Sequence, residues 1–159
     1  MPTSLNHGLI SLFYDAASIR RWNDQINPMD FTELDKQAHK MIIAYVLAKF
    51  ADEEQSAPVN WLRLLEGGIF EMLHRIVLTD VKPPVFHRMM SEKGCELNQW
   101  VVGRLEPHTA VVHGGFHDRL RQHFFDSTYA LPEKRILKAA HFLATQWEFN
   151  ILYQLCPFI

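Results

Sequence analysis

The sequence predicts an all-α protein, folded as one bundle of five to seven helices. Apolar residues recur at helical spacing along most of the chain, whereas no segment of useful length alternates apolar and polar residues as a strand would. The 159 residues are enough for one domain with its own hydrophobic core. We therefore expect a single helical domain over residues 1–159.

Two helices are predicted in the first third of the chain. One covers about 5–22 and ends in the Arg-Arg-Trp sequence at 20–22, where positive side chains suit the C-terminal end of the helix dipole. The second covers about 35–51 and carries an apolar stripe that we expect to face the core. This stripe consists of Ile42, Ile43, Val46, Leu47 and Phe50. His39 falls on the same stripe, where both a core histidine and a ligand would fit.

The third predicted helix, over about 60–78, is apolar on most sides, so we expect it to be central and buried. Its glycine pair at 67 and 68 costs helix stability and predicts the close approach of another backbone. Glu71, His74 and Arg75 are spaced to share one face of this helix. Buried charge is costly unless it is paired or bound to a metal, so two interpretations stay open: a site, or an intrahelical Glu–Arg pair.

Three more helices are predicted in the second half of the chain. The prolines at 83 and 84 end the third helix, and a helical pattern follows over about 85–105, with an interruption near Gly94. A polar-rich helix is predicted over about 108–125. The last helix begins at Pro132, since proline is tolerated in the first turn, and runs to about residue 155.

Composition narrows the classes of function. A net charge of −2 gives no basic surface for nucleic acid, so we expect no nucleic-acid partner. No apolar run approaches the roughly 20 residues of a membrane span, so we expect no membrane partner. Two distant cysteines and the lack of a signal-like N-terminus favour a cytoplasmic setting. The nine histidines are the unusual feature, and they keep a metal or acid–base site open.

Residues of the metal-ligand type lie on separate apolar helices. His39 is on the second predicted helix, Glu71 and His74 are on the third, and His141 is on the last. Helical bundles build metal sites from inward-facing side chains on different helices. Two imidazoles and a carboxylate would suit a divalent transition metal that keeps positions for water and substrate.

Four short motifs follow one another along the chain: Arg21-Trp22 after the first helix, His39 at the start of an apolar helix, the segment 70–85, and the segment 137–141. In this order they resemble the HD-domain superfamily of metal-dependent phosphohydrolases, in particular the bacterial 5′-deoxynucleotidase branch. The segment 70–85 is similar to the family's His-Asp helix and the turn that follows it. The segment 137–141 is similar to the family's Lys-x-Ala-Asp motif in the last core helix. The resemblance extends over about 9–153 and implies an HD-like helical bundle.

The resemblance implies a divalent metal ion, such as Zn, Co, Mn, Ni or Fe, with His39, Glu71 and His141 as ligands. In an ungapped alignment, Glu71 falls on the histidine of the family's His-Asp doublet and His141 falls on its last metal-binding aspartate. A shifted alignment places His74 on the doublet instead, and His74 is therefore a fourth candidate ligand. Arg21 and Trp22 would bind a small phosphorylated ligand, with Arg21 on the phosphate and Trp22 beside the nucleotide.

This chain departs from the family at two positions of the same helix. Met72 replaces the doublet aspartate, and a thioether is a weak ligand for such metals. Arg75 replaces a glutamate that helps to activate water, which makes Arg75 a catalytic candidate by position alone. Asp80 is retained in the following turn, and the resemblance makes it a proton donor or sugar contact. The segment that usually follows the last core helix is expected to be absent.

Three hypotheses follow. The first is a divergent phosphohydrolase that acts on a nucleoside monophosphate or a similar small phosphate ester. The second is a non-catalytic relative that keeps a phosphate pocket, because the metal motif is degenerate. The third is a structural or partner-binding helical domain. Since the family often forms dimers, a second copy could cover the apolar C-terminal end at 155–159.

Overall fold

The computed structural model describes residues 7–22, 29–54, 58–79 and 81–155, which form one compact helical domain. These residues form six α-helices and no β-strand, so the predicted all-α class is confirmed. The helices are α1 His7–Asp15, α2 Glu33–Glu53, α3 Trp61–Val77, α4 Pro83–Thr109, α5 Phe116–Phe125 and α6 Leu131–Leu155. None of these described helices is both long enough and apolar enough to span a membrane.

The first helix is shorter than predicted, because the chain changes direction before the Arg-Arg-Trp sequence. After α1 ends at Asp15, the segment 19–21 lies beside 31–33, with an isolated antiparallel bridge between Arg20 and Thr32. The backbone amide of Arg21 donates to the carbonyl of Phe31 at 2.8 Å. The expected placement of these residues at a helix C-terminus was therefore wrong. They lie instead against the residues that lead into α2.

The buried face of α2 differs from the predicted one. Ile42, Val46 and Phe50 are exposed, whereas the buried residues of α2 are Glu33, Lys36, Lys40, Ala44 and Ala48. The alanines are small enough to let α2 pack closely against α6, in a cluster with Leu64, Leu137 and Ala140. The prediction is confirmed for Ile43 and Leu47, which pack partly buried against this cluster, and was wrong for the other three residues of the stripe, because it followed hydrophobicity alone. The two lysines are buried because α3 and α6 provide partners for their ammonium groups.

The third helix is central, as predicted, since α3 contacts each of the other five helices. Its glycines are packed against side chains rather than against the expected backbone. A Cβ on Gly67 would lie 2.8 Å from Leu137 Cδ1, and a Cβ on Gly68 would lie 2.9 Å from Met41 Cε. The carbonyl of Gly68 also accepts a hydrogen bond from Gln37 Nε2 at 2.7 Å. The glycine pair therefore brings α2 and α6 close to α3.

The fourth helix is longer than predicted at both ends. It begins at Pro83, in the first turn, where the missing amide hydrogen costs nothing. A break at Lys93, with φ of −140°, confirms the predicted interruption near Gly94. The helix continues to Thr109, so α5 begins at Phe116 rather than near residue 108. Between them, Gly114 and Gly115 have φ values of 78° and 74°, a conformation that glycine adopts without strain.

Candidate functional site

A cavity of about 220 Å³ lies among α2, α3 and α4, with one residue each from α5 and α6. We call it the cation cavity, because three cationic side chains line it. Its charged and ionisable lining from α2, α3 and α6 consists of Glu33, Lys36, Lys40, Glu71, His74, Arg75 and His141. The remaining lining is largely apolar and consists of Gln37, Met72, Phe86, Met90, Asn98 and Phe124.

Lys40 is buried and paired with Glu71. Its side chain is only 3% exposed, and its Nζ donates to Glu71 Oε2 at 2.5 Å. The other carboxylate oxygen of Glu71 lies 3.8 Å from Nε2 of His123 on α5. Burial, the ammonium groups of Lys134 and Lys40, and His74 lower the pKa of His123 to about 4, so this imidazole is neutral near pH 7.

Lys36 is buried beside His141. Its Nζ lies 3.4 Å from His141 Nε2, which accepts the hydrogen bond when the ring is neutral. Burial lowers the pKa of Lys36 to about 7, with Arg21 and Arg75 adding to the effect and Glu33 opposing it. Desolvation of the ring, followed by Lys36, Lys40 and Arg21, lowers the pKa of His141 to about 3, although much of this residue faces solvent.

A buried ion-pair network supports the cavity wall behind Glu33. The Arg21 guanidinium donates to Glu148 from Nε at 3.0 Å and from an Nη at 2.8 Å, and to Glu33 at 2.8 Å. Trp22 Nε1 donates to the same Glu148 carboxylate at 3.0 Å. Arg75 approaches Glu33 at 3.4 Å, so one carboxylate is shared by two arginines. Despite its burial, the paired cations hold the pKa of Glu33 below its ordinary value.

The apolar part of the lining is held by aromatic contacts and one polar pair. Arg75 lies over the Phe86 ring at 5.1 Å, which links the charged and the apolar lining. The His74 ring packs against Phe124 at 5.0 Å, and its Nε2 donates to Asn98 Oδ1 at 3.0 Å. Burial lowers the pKa of His74, so a neutral ring lies in this half of the cavity.

The structure brings four of the predicted site residues together. Glu71, His74, Arg75 and His141 all line the cation cavity. The alternative Glu71–Arg75 pair is replaced by pairs to α2, because Glu71 pairs with Lys40 and Arg75 pairs with Glu33.

The other predicted residues lie elsewhere. The His39 ring packs against Trp147 at 4.6 Å, beside a separate cavity that also includes Phe31. Arg21 and Trp22 belong to the network behind Glu33. Asp80 lies outside the described residues.

Three of the four predicted metal ligands already use a donor atom in a contact with another side chain. The Glu71 carboxylate and His141 Nε2 each contact a lysine, and His74 Nε2 bonds to Asn98. Across the described ranges, no three His, Cys, Asp or Glu side chains are grouped closely enough to hold a metal ion. In this arrangement the side chains do not fit a divalent metal. The predicted metal ion stays a prediction, which elemental analysis of the purified protein would test.

Hydrophobicity and ligand-type residues did not reveal the two lysines as members of the site. A signal for them was present, because Lys36, Lys40, Ala44 and Ala48 recur every four residues and so share one face of α2. Asn98 and His123 were also missed, since nothing in the local sequence of α4 or α5 indicates which helix they face.

No protein-family model matches the chain, and no curated protein matches it either.

Proposed function

We propose that this protein binds a small phosphorylated ligand in the cation cavity, as a non-catalytic binding protein. The observation that carries the proposal is the convergence of Lys36, Lys40 and Arg75 on one cavity. Arginine and lysine are the side chains that bind phosphate most often in proteins, through charge-assisted hydrogen bonds. Glu71 and Glu33 already pair with Lys40 and Arg75, so Lys36 is the cation of the cavity that a bound anion would compensate most.

The charge balance of the lining supports an anionic ligand. Three cationic side chains face two carboxylates, those of Glu33 and Glu71, so the lining has one excess positive charge when all three are protonated. Burial is the main cause of the lowered pKa of Lys36, and the neighbouring Arg21 and Arg75 add to it. A bound phosphate group would supply the missing negative charge and favour the ammonium form of Lys36.

The apolar lining supports a ligand that has a ring or another apolar part attached to the phosphate. Phe86 and Phe124 provide aromatic surface, and Met90 provides an adaptable apolar side chain. At about 220 Å³ the cavity lies below the common range of small-molecule pockets, roughly 300–1,000 Å³. This size favours a nucleoside monophosphate or a similar small ester over a dinucleotide.

Isothermal titration calorimetry in buffer with EDTA would test the proposal. The ligands are inorganic phosphate, ribose 5-phosphate and nucleoside 5′-monophosphates. We expect saturable binding that weakens by about tenfold or more in Arg75→Gln, the loss expected for a charge-assisted phosphate contact. Arg88→Gln is the matched control, because Arg88 is an exposed arginine of α4 that pairs with Glu92. Equal affinity in the two variants, or no binding of any of these ligands, would refute the proposal.

Phosphomonoester hydrolysis is the second candidate function. One observation favours it, namely that Glu71, His74, Arg75 and His141 line the same cavity. The test is release of phosphate from nucleoside 5′-monophosphates with each of Zn²⁺, Co²⁺, Mn²⁺, Ni²⁺ and Fe²⁺. Hydrolysis that is lost in Glu71→Gln would establish this function, and inactivity with every metal would leave ligand binding as the function.

A cytoplasmic setting and a homodimer belong to the same proposal. The exposed free thiol of Cys95 suits a reducing compartment. Exposed apolar side chains on α2 and α6, among them Phe50 and Phe142 at 60% and 65%, offer surface for a second copy. Light scattering coupled to size-exclusion chromatography would measure the mass, and a monomer at all concentrations would exclude the dimer.

A further inference from the structure

We propose that the ammonium groups of Lys40 and Lys36 take the place of a divalent metal ion, so that the cation cavity binds phosphate without metal. The inference rests on the proposed function, and it assigns the source of positive charge in the site. Its basis is the pairing of two lysines with the two side chains that would otherwise be the best metal ligands.

The first pair is between Lys40 and Glu71. The Lys40 Nζ lies 2.5 Å from Glu71 Oε2, a distance that leaves no room for an ion between them. The Lys40 side chain is 3% exposed, so its ammonium group is fixed in the wall of the cavity and does not extend into water. The hydrogen bond to Gln37 Oε1, at 3.5 Å, restrains it further. A metal that used Glu71 would therefore have to displace a buried charge.

The second pair is between Lys36 and His141. The Lys36 Nζ lies 3.4 Å from Nε2, the ring nitrogen that would have to accept a metal. The cations around the ring also work against a metal, since a divalent ion would be repelled by Lys36, Lys40 and Arg21 at the same place. Because Lys40 and Arg21 already pair with carboxylates, Lys36 is the cation of the three that would pair with an added anion.

The two lysines lie one helical turn apart on α2, and both line the cation cavity. Side chains at positions i and i+4 project from the same face of a helix, so both ammonium groups can donate to one phosphate group. Arg75, from α3, can add a fork of donors to the same ligand. Together these side chains supply fixed positive charge and hydrogen bonds, which are the contributions that a metal makes to holding phosphate.

Wild-type protein provides the first test, because it needs no substitution. Binding of inorganic phosphate is measured by calorimetry in EDTA and again with added Mn²⁺, and Co²⁺ uptake is measured by visible absorption. We expect the same phosphate affinity in both buffers and no stoichiometric Co²⁺ binding. Phosphate binding that requires Mn²⁺ would overturn the inference and leave the proposed function intact. Absence of phosphate binding in both buffers would overturn the proposed function and the inference together.

Two variants test the role of the lysines themselves. Lys40→Met keeps the length of the side chain and removes its charge, and we expect phosphate affinity in EDTA to fall about tenfold or more. The control is Lys49→Met, which changes an exposed lysine of the same helix. Lys36→Met removes the second ammonium group of the cavity, and we expect it to lower the phosphate affinity in EDTA as well. Unchanged phosphate affinity in both folded lysine variants would overturn the inference.

Discussion

Glu148 should be one of the most important side chains for stability. Its side chain is 2% exposed, and its carboxylate accepts hydrogen bonds from Nε and an Nη of Arg21 and from Trp22 Nε1. Glu148→Gln keeps the shape and removes the charge, and it also places an amide NH₂ group against donors. Removing one partner of a buried ion pair costs about 3–5 kcal/mol, and because Glu33 still pairs with Arg21 we expect about 3 kcal/mol.

Urea unfolding followed by far-UV circular dichroism at pH 7 would measure this loss. Asp30→Asn is the control, because the neighbouring pair of Arg20 and Asp30 is long, at 3.8 Å, and both side chains are more than 70% exposed. For such a surface pair we expect a change of at most about 0.5 kcal/mol. If Glu148→Gln and Asp30→Asn gave equal losses, burial would not be what makes the Arg21 network matter.

A double-mutant cycle would separate the pair from its surroundings. Arg21→Met combined with Glu148→Gln should recover part of the loss, since it removes the uncompensated charge together with its partner. The same variants test the role of Arg21 in ligand binding. If the phosphate affinity of folded Arg21→Met is close to that of wild type, Arg21 positions Glu33 and does not hold the ligand.

Three further outcomes are expected. In urea unfolding, Gly67→Ala should lower the free energy of unfolding by about 1–2 kcal/mol, because its Cβ would lie 2.8 Å from the fully buried Leu137. Gly103→Ala should raise it by about 0.5–1 kcal/mol, because the space around Gly103 is open and alanine favours a helix more than glycine does. Thr32→Ala removes the hydroxyl that caps α2 by accepting a hydrogen bond from the Asp35 amide at 3.2 Å. It should lower the free energy of unfolding by about 1 kcal/mol in the same assay. An unchanged stability would show that the capping box is unimportant. The pKa of Glu33 is lowered in the folded protein, so its contribution to the free energy of unfolding is fully present above its ordinary pKa of 4.5 and is lost as pH falls through the folded value. Glu33→Gln should therefore make stability decline less steeply with acid. An unchanged dependence of stability on pH would exclude this role.

The number and order of helices could be predicted because their signals are local. Helical periodicity, the proline pair before α4 and the break near Gly94 each depend on a few neighbouring residues. The end of α1 could not be predicted in this way. The residues after it continue a helical pattern, and their departure from the helix depends on pairing with 31–33, which comes later in the chain.

The candidate site was only partly predictable for a related reason. Glu71, His74 and Arg75 are spaced to share one face of an apolar helix, so their position on one wall of the cavity and the burial of His74 agree with the sequence. Their partners did not follow from it, because Lys40, Asn98 and Glu33 come from other helices. A periodicity argument gives the face of one helix, and it does not say which residue of another helix will lie opposite.

The buried lysines of α2 conflict with the hydrophobic pattern of the helix that carries them. Leaving Ile42, Val46 and Phe50 exposed while burying Lys36 and Lys40 does not favour stability, since each buried ammonium group has a desolvation cost of several kcal/mol. Rotating α2 so that its apolar stripe faced inward would remove that cost, yet it would also take both lysines away from Glu71 and His141. The same face of α2 also buries Ala44 and Ala48 against α6, but that packing does not require lysines at the neighbouring positions. A local rule broken at a cavity is typical of a functional site. The position of α2 is therefore itself an argument that the cation cavity binds an anion.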